Sequence, residues 1–332
     1  MAVPDPLGVR DTLVTAENQH RTAYQASKFA EAIAAARGGL ELADRAGTLQ
    51  DQIQFVRHLA YDYFLMGDNE SALDYSQRLL NCAELLNDNR IRAQGHRYLS
   101  EIYATMKDDA LSRSHAESAL RLATLAGDGD VRIYALTVVG LSEARARHYD
   151  AALRAFEESR VYWRKQNRPW NTVNSLVNIA DVAEDRGDLA DALRRYEEIV
   201  AGRIANGDRS GQVRAVAAIA GLLRQLGRAD EALPRLVAVR ALAESIGSHR
   251  VLAEFYLNLA QVQEARRDFA AALATERLAE SESEALGSER ARLRSSELEA
   301  RPKTVSSKIP ERSESVSSSP EFIPGIFLAC AF

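Results

Sequence analysis

The chain has 332 residues, with 42 Lys and Arg against 47 Asp and Glu, a net charge of −5 and two cysteines. Cys82 and Cys330 lie far apart, so neither a disulfide framework nor a cysteine-based zinc site is expected. Basic residues are interspersed with acidic ones, which argues against nucleic acid as a partner; no apolar run is long enough to span a bilayer, and MAVPDPLGVRDTL lacks a secretory pattern, so a soluble cytoplasmic protein without membrane partners is expected.

In chain order, residues 1–7 hold Pro4 and Pro6 and are expected to fray. A weakly patterned helix follows over 8–25, so that residues 1–27 read as an amino-terminal segment with a first capping helix. A repeat then runs over 28–287. Stepping 40 residues either way from Ala192 gives Ala32, Ala72, Ser112, Ala152, Ala232 and Ala272, all small. An aliphatic residue follows each of them except Ser112, which precedes Arg113. Twelve residues earlier lies a second small register, Ala60, Ser100, Gly140, Ala180, Ala220 and Ala260. Two facing small residues let paired helices approach closely. A third register holds only Gly and Asn: Gly47, Asn87, Gly127, Asn167, Gly207, Gly247 and Gly287. These two residues tolerate the left-handed backbone that ends a helix. Three registers in phase predict an all-α chain of about seven helix-turn-helix units.

The clearest unit predicts a helix near 171–185, a turn at Arg186-Gly187-Asp188 and a second helix near 189–206. Val173, Leu176, Ile179, Ala180 and Ala183 fall three and four apart and define one buried face. Pro234 is expected to delay or slightly kink the second helix of the sixth unit. Beyond Gly287, residues 288–301 read as a polar capping or connecting helix stopped by Pro302. Residues 302–332 are Ser/Pro-rich, lack helical periodicity and are expected to be disordered.

Tyr256-x-x-Leu259-Ala260 and Val56-x-x-Leu59-Ala60-x-x-Tyr63 resemble the first half of the tetratricopeptide repeat pattern. Ala152-Leu153-x-x-Phe156 and Ala192-Leu193-x-x-Tyr196 resemble its second half. The resemblance covers about residues 10–287, in the longer version of that repeat with a period of 40. His20 at a small site and Ser112-Arg113 depart from the pattern. The resemblance implies a right-handed α-solenoid whose first helices line a concave groove. It also resembles the sensory regions of bacterial signalling proteins.

No motif for chemistry is found. His20, His58, His96, His115, His148 and His249 show no metal-type spacing, though His58 and His96 hold adjacent first-helix positions and are expected near each other. Neither a P-loop, a G-x-S-x-G elbow nor a Rossmann glycine pattern occurs. Asp181, Glu184 and Asp185 share a helix face and read as solvated carboxylates. No catalytic residue, metal or cofactor is therefore expected.

On the groove face the resemblance implies, Asn171, Asn174 and Asn178 form a ladder, and Asn258 repeats the Asn178 position two units on. Amides can pair with the backbone of an extended peptide. Arg57, Arg97, Arg214 and Arg224 offer clamps for carboxylates, and Tyr61, Phe64 and Tyr98 an apolar shelf. The expected function is a non-catalytic scaffold that captures a peptide or protein segment. The alternative is the sensory arm of a bacterial signalling protein of diguanylate cyclase or histidine kinase type, whose output domain is missing. Nothing in the sequence indicates a homo-oligomer.

Overall fold

The computed structural model describes residues 6–300, which form fourteen α-helices without a strand among the described residues. The expectations for residues 1–5 and for the tail at 302–332 lie outside them. The helices are α1 (Pro6–Gln25), α2 (Phe29–Ala46), α3 (Leu49–Met66), α4 (Asn69–Leu86), α5 (Asn89–Thr105), α6 (Asp109–Ala126) and α7 (Gly129–Arg145). They continue as α8 (Tyr149–Lys165), α9 (Pro169–Asp185), α10 (Leu189–Ala205), α11 (Arg209–Gln225), α12 (Ala229–Ile246), α13 (His249–Ala265) and α14 (Phe269–Ala300). Successive helices pack on one another, so the chain is a solenoid of seven hairpins.

The 40-residue unit is built from two 20-residue halves. From Gly67 to Arg267, a residue with positive φ recurs at every twentieth position. The next amide reaches back five residues, as from Asp68 to the Tyr63 carbonyl or from Asp208 to the Arg203 carbonyl, both at 2.9 Å. This satisfies carbonyls left over at the helix end. The residue donating that amide then caps the following helix. Asp68, Asp88, Asp108, Asp128, Asp188 and Asp208 each accept an amide of the next first turn. One turn therefore ends one helix and starts another with two or three residues between them.

Gly207 has φ +69° and open space where a Cβ would stand. Valine there meets backbone strain rather than a clash, and Gly207→Val should cost about 1–2 kcal/mol. The urea unfolding midpoint checks this, and an unchanged midpoint would remove the capping account.

The small registers do face each other. Ala32, Ala72, Ala152, Ala192 and Ala232 are fully buried, as are Ala60, Ala180 and Ala220. In the third unit Ser100 Oγ lies 3.4 Å from Ser112 Oγ, so the hydroxyls that break the pattern meet across the seam. Gly140 leaves room for Phe156, whose ring carbon would stand 2.7 Å from a Cβ there.

Four expectations change. Helix α1 begins at Pro6, packs along α2 and buries Leu13 in the first core cluster, so it is a full first half-unit. Gly47 is extended (φ −89°, ψ −177°), not left-handed; glycine is needed because a Cβ would stand 2.6 Å from Ala43 Cα. Gly287 ends nothing: α14 runs through it, because the segment at 288–300 is helix-prone and carries neither an aspartate cap nor a proline after the glycine. The polar helix expected at 288–301 is thus the end of α14. Helix α12 starts at Ala229 and runs through Pro234 without a delayed start, since a proline in the second turn removes a single amide donor.

The core forms one large cluster across α1–α5 and another from α9 to α14, joined by smaller clusters across α5–α9. The solenoid also winds back on itself. Ser27 and Ser210 hydroxyls lie 2.8 Å apart, and Arg250 donates to the Leu65 carbonyl at 2.7 Å. Arg294 pairs with Glu70, and Leu286 and Leu293 of α14 pack on the first core cluster. The sixth and seventh hairpins therefore touch the first two.

Candidate ligand-binding lumen

This winding turns the open side of the first helices into a lumen of about 1020 Å³ that stays partly open to solvent. One wall is α1 and α3, with Glu17, His20, Arg21, Tyr24, Arg57, His58 and Tyr61. The other is α9, the α10–α11 turn, α11 and α13, with Trp170, Asn174, Arg203, Asn206, Arg214, Arg250 and Glu254. A volume of this size is at the upper end for small-molecule sites. A second cavity of about 110 Å³ shares Arg57 and Tyr61 and adds Arg97, Tyr98 and Tyr134.

The walls hold their polar side chains by specific partners. His20, a departure from the small register, accepts a structural role: its Nε2 lies 2.8 Å from Asp62 Oδ2, and its ring stacks on His58 at 3.9 Å. His58 Nε2 lies 3.0 Å from Glu17 Oε2. Burial pushes the His58 pKa down, against the pull of Glu17. Burial alone would raise Glu17, but hydrogen bonds from His58 and Gln54 and the charge of the imidazoles bring it down to about 2. Burial likewise pushes Asp62 up, against the pull of His20. On the opposite wall Asp208 accepts from the Gly211 amide at 2.8 Å and from Arg203 at 3.0 Å. Arg203 in turn lies 5.6 Å over the Trp170 ring.

The residues expected on the groove divide. Arg57, Tyr61, Asn174 and Arg214 line the lumen, and Arg97 and Tyr98 the smaller cavity. Phe64 is half-buried on the first core cluster, 6.1 Å from the Tyr61 ring. The asparagine ladder does not act as one unit. Asn171 is buried and donates to the Tyr134 hydroxyl at 2.7 Å, so it positions a wall residue. Asn178 is buried and lines neither cavity. Asn258 donates to the Glu254 carbonyl of its own helix, and Arg224 lies near Glu184, outside both cavities. Asn174 differs from them all. It is 4% exposed, and neither end of its amide has a hydrogen-bond partner in the protein.

His58 and His96 are not neighbours in a shared pair, since His58 stacks on His20. His96 instead faces His115 across α5 and α6, Nδ1 to Nδ1 at 2.8 Å. Burial, and then the charge of His115, lower His96 to about 4; burial also lowers His115. Both histidines thus take up protons more readily in the unfolded chain. Their contribution is present above about pH 6.5 and is lost as pH falls toward 4. The buried carboxyls whose pKa is raised act in the opposite sense, so the test is differential. His96→Gln/His115→Gln should gain stability relative to wild type between pH 7.5 and pH 4, measured by urea unfolding; a constant difference would refute it.

Asp181, expected in water, is in contact with Tyr196, and burial raises its pKa well above the usual range. Among the described residues no group of three or more potential metal ligands occurs, and no helix is long and apolar enough to cross a membrane.

Neither a protein-family model nor a curated protein sequence matches the chain. Solved structures do. NprR in complex with its cognate peptide NprX superposes with a TM-score of 0.60 at 13% identity, covering 83% of this chain and 79% of that one. The Rap conjugation gene regulator of plasmid pLS20, in complex with the Phr* peptide, gives 0.62 at 12% identity, over 81% and 73% of the two chains. The fold is a tetratricopeptide-type repeat solenoid. A Rap protein complexed with competence and sporulation factor gives 0.57 at 13% identity and covers 85% of this solenoid and 99% of its own chain.

On the second wall of the lumen in this solenoid, sequence reading found Asn174 and Arg214 but missed the residues around them. Trp170, Arg203, Asn206 and Arg250 face Glu17, His20 and Tyr24 only because residues some 183 positions apart meet, as Ser27 and Ser210 do. No local signal encodes that pairing. The aspartate caps, by contrast, carry a local signal, an Asp recurring in steps of 20, which the 40-residue registers did not use.

Proposed function

We propose that the protein is a non-catalytic scaffold that takes an extended peptide into its lumen. Asn174 carries this reading. A buried amide with neither donor nor acceptor satisfied costs about 1–3 kcal/mol for each unmet group. A ligand that offers a carbonyl and an N–H side by side relieves both, and a peptide backbone does so at every residue. Asn206, whose Nδ2 is also buried without a partner, lies on the same wall. The resemblance to solenoids solved with NprX and with Phr* supports the same reading.

Signalling in the cytoplasm is the setting we propose for this capture. The alternative of a sensory arm needs α14 to continue outward to an output domain. Leu286 and Leu293 pack instead on the first two hairpins, which favours α14 as a closing helix.

The test is selection of a random hexapeptide display library on the full chain, followed by affinity measurement of the enriched peptides. Asn174→Ala should weaken them about tenfold or more while leaving the melting temperature within a few degrees. Enriched peptides that bind the variant as well as wild type would overturn the assignment.

A further inference from the structure

We propose that the smaller cavity takes one aromatic ring, that of a Phe or Tyr side chain, from the peptide held in the lumen. This rests on the peptide reading above and adds the residue class that the site selects. The two cavities share Arg57 and Tyr61, so a side chain enters the smaller one from a backbone lying in the lumen.

Three neighbouring first helices build the cavity. Helix α3 gives Arg57 and Tyr61, α5 gives Ala93, Gln94, Arg97 and Tyr98, and α7 gives Val131 and Tyr134. Ala93, Tyr98 and Val131 are buried, so core packing fixes these parts of the wall. The rings of Tyr61 and Tyr98 lie 5.8 Å apart. The Arg97 guanidinium sits 4.3 Å from the Tyr98 ring centre and 5.6 Å from that of Tyr134. Ring faces and a flat cation thus stand side by side around one small space.

The charge of Arg97 is balanced within the protein: it donates to Glu101 at 2.8 Å, and both residues are buried. The Tyr134 hydroxyl accepts from Asn171 at 2.7 Å. Neither residue therefore calls for a carboxylate from the ligand. What the cavity lacks is an occupant that suits rings and guanidinium planes together. An aliphatic side chain would bury the cations against hydrocarbon. The face of an aromatic ring carries partial negative charge and attracts a guanidinium, while its edge packs on a tyrosine face. Arg57, half-buried where the two cavities meet, has an Nε without a hydrogen-bond partner in the protein and supplies a second such cation. Size agrees. An apolar cavity of about 150 Å³ holds benzene. This cavity measures about 110 Å³ and is partly open, so one ring fits with its Cβ outside, and the larger indole of tryptophan does not.

The experiment uses the full chain and dye-labelled hexapeptide libraries in which one position at a time is fixed as Phe, Tyr, Trp, Leu, Asp or Ala, read by fluorescence anisotropy. At one position Phe and Tyr should bind about tenfold tighter than Ala and about threefold tighter than Leu or Trp. Ring protons of that Phe should give NOEs to the Ala93 methyl group of protein labelled with ¹³C-methyl alanine. Gln94→Trp fills the cavity from its half-buried rim and should bring the Phe library down to the level of the Ala library. The NOE keeps the test open where that variant fails to fold. Equal affinity of all fixed residues at every position, with Asn174→Ala still weakening capture, would overturn the aromatic site and leave peptide binding standing. A preference for Asp over Phe at the position that Gln94→Trp affects would overturn it in favour of a carboxylate site. An aromatic preference that survives Gln94→Trp and gives no NOE to Ala93 would place the ring elsewhere and overturn the assignment. Failure of every library to bind would overturn the peptide reading and this inference with it.

Discussion

Phe156→Ala should cost about 3–5 kcal/mol and split the unfolding of the array into two steps. The ring is 1% exposed and belongs to a small cluster with Ala116, Val138, Leu141, Ala152, Ile179 and Val182, spanning α6 to α9. Its place is fixed from above by Gly140, where even a methyl group would collide with it. Amino-terminal of it lies a cluster made largely of alanine, namely Ala93, Ala119, Ala123 and Ala135 with Val131. The two large core clusters at either end are thus joined through these smaller ones, and Phe156 is the largest side chain of its own cluster. In a solenoid, stability is close to a sum of unit and nearest-neighbour terms, so weakening one seam uncouples the halves. Calorimetry should show one transition in wild type and two in the variant. A single cooperative transition shifted by less than the equivalent of 1 kcal/mol would show that the seam does not depend on this ring. Phe156→Leu keeps most of the volume and should cost less than half as much.

Asp62→Ala is expected to have the second-largest effect, about 3 kcal/mol, and to detach α1 from α3. His20 and Asp62 are each 1% exposed and lie 2.8 Å apart. His20 Nδ1 already lacks a partner, so removal of Asp62 leaves the ring buried with neither nitrogen satisfied. The damage reaches the lumen, because His20 and His58 form part of its wall and stack on one another. Hydrogen exchange should rise across α1 and α2 while α9–α13 keep their protection. Uniform exchange throughout the chain, or none above wild type in α1, would refute the link. Asp62→Asn retains an acceptor for Nε2 and should recover at least half of the loss.

Several features of this solenoid follow from neighbours in sequence. Small residues at Ala60 and Ala72 face one another because two helices joined by a two-residue turn have no other way to pack. The left-handed residues from Gly67 to Arg267 and the aspartate caps after them act within a single turn of backbone. Even the departures remain readable: Ser100 meets Ser112, and Gly140 makes way for Phe156. Interactions of this range repeat wherever the residues repeat, so period, helix count and hairpin order are written in the chain.

The lumen is different. Its walls come together through the winding of seven hairpins, and winding is a sum of small rotations that no single register states. That sum brings Arg57 and Arg214 to one cavity and leaves Asn174 facing it while Asn171, three residues earlier, is spent on Tyr134. One stripe of asparagines in sequence thus becomes a structural residue, a core residue and a lumen-facing residue in space. Local spacing decides what each helix buries against its neighbours; the accumulated pitch decides what faces it across the hollow.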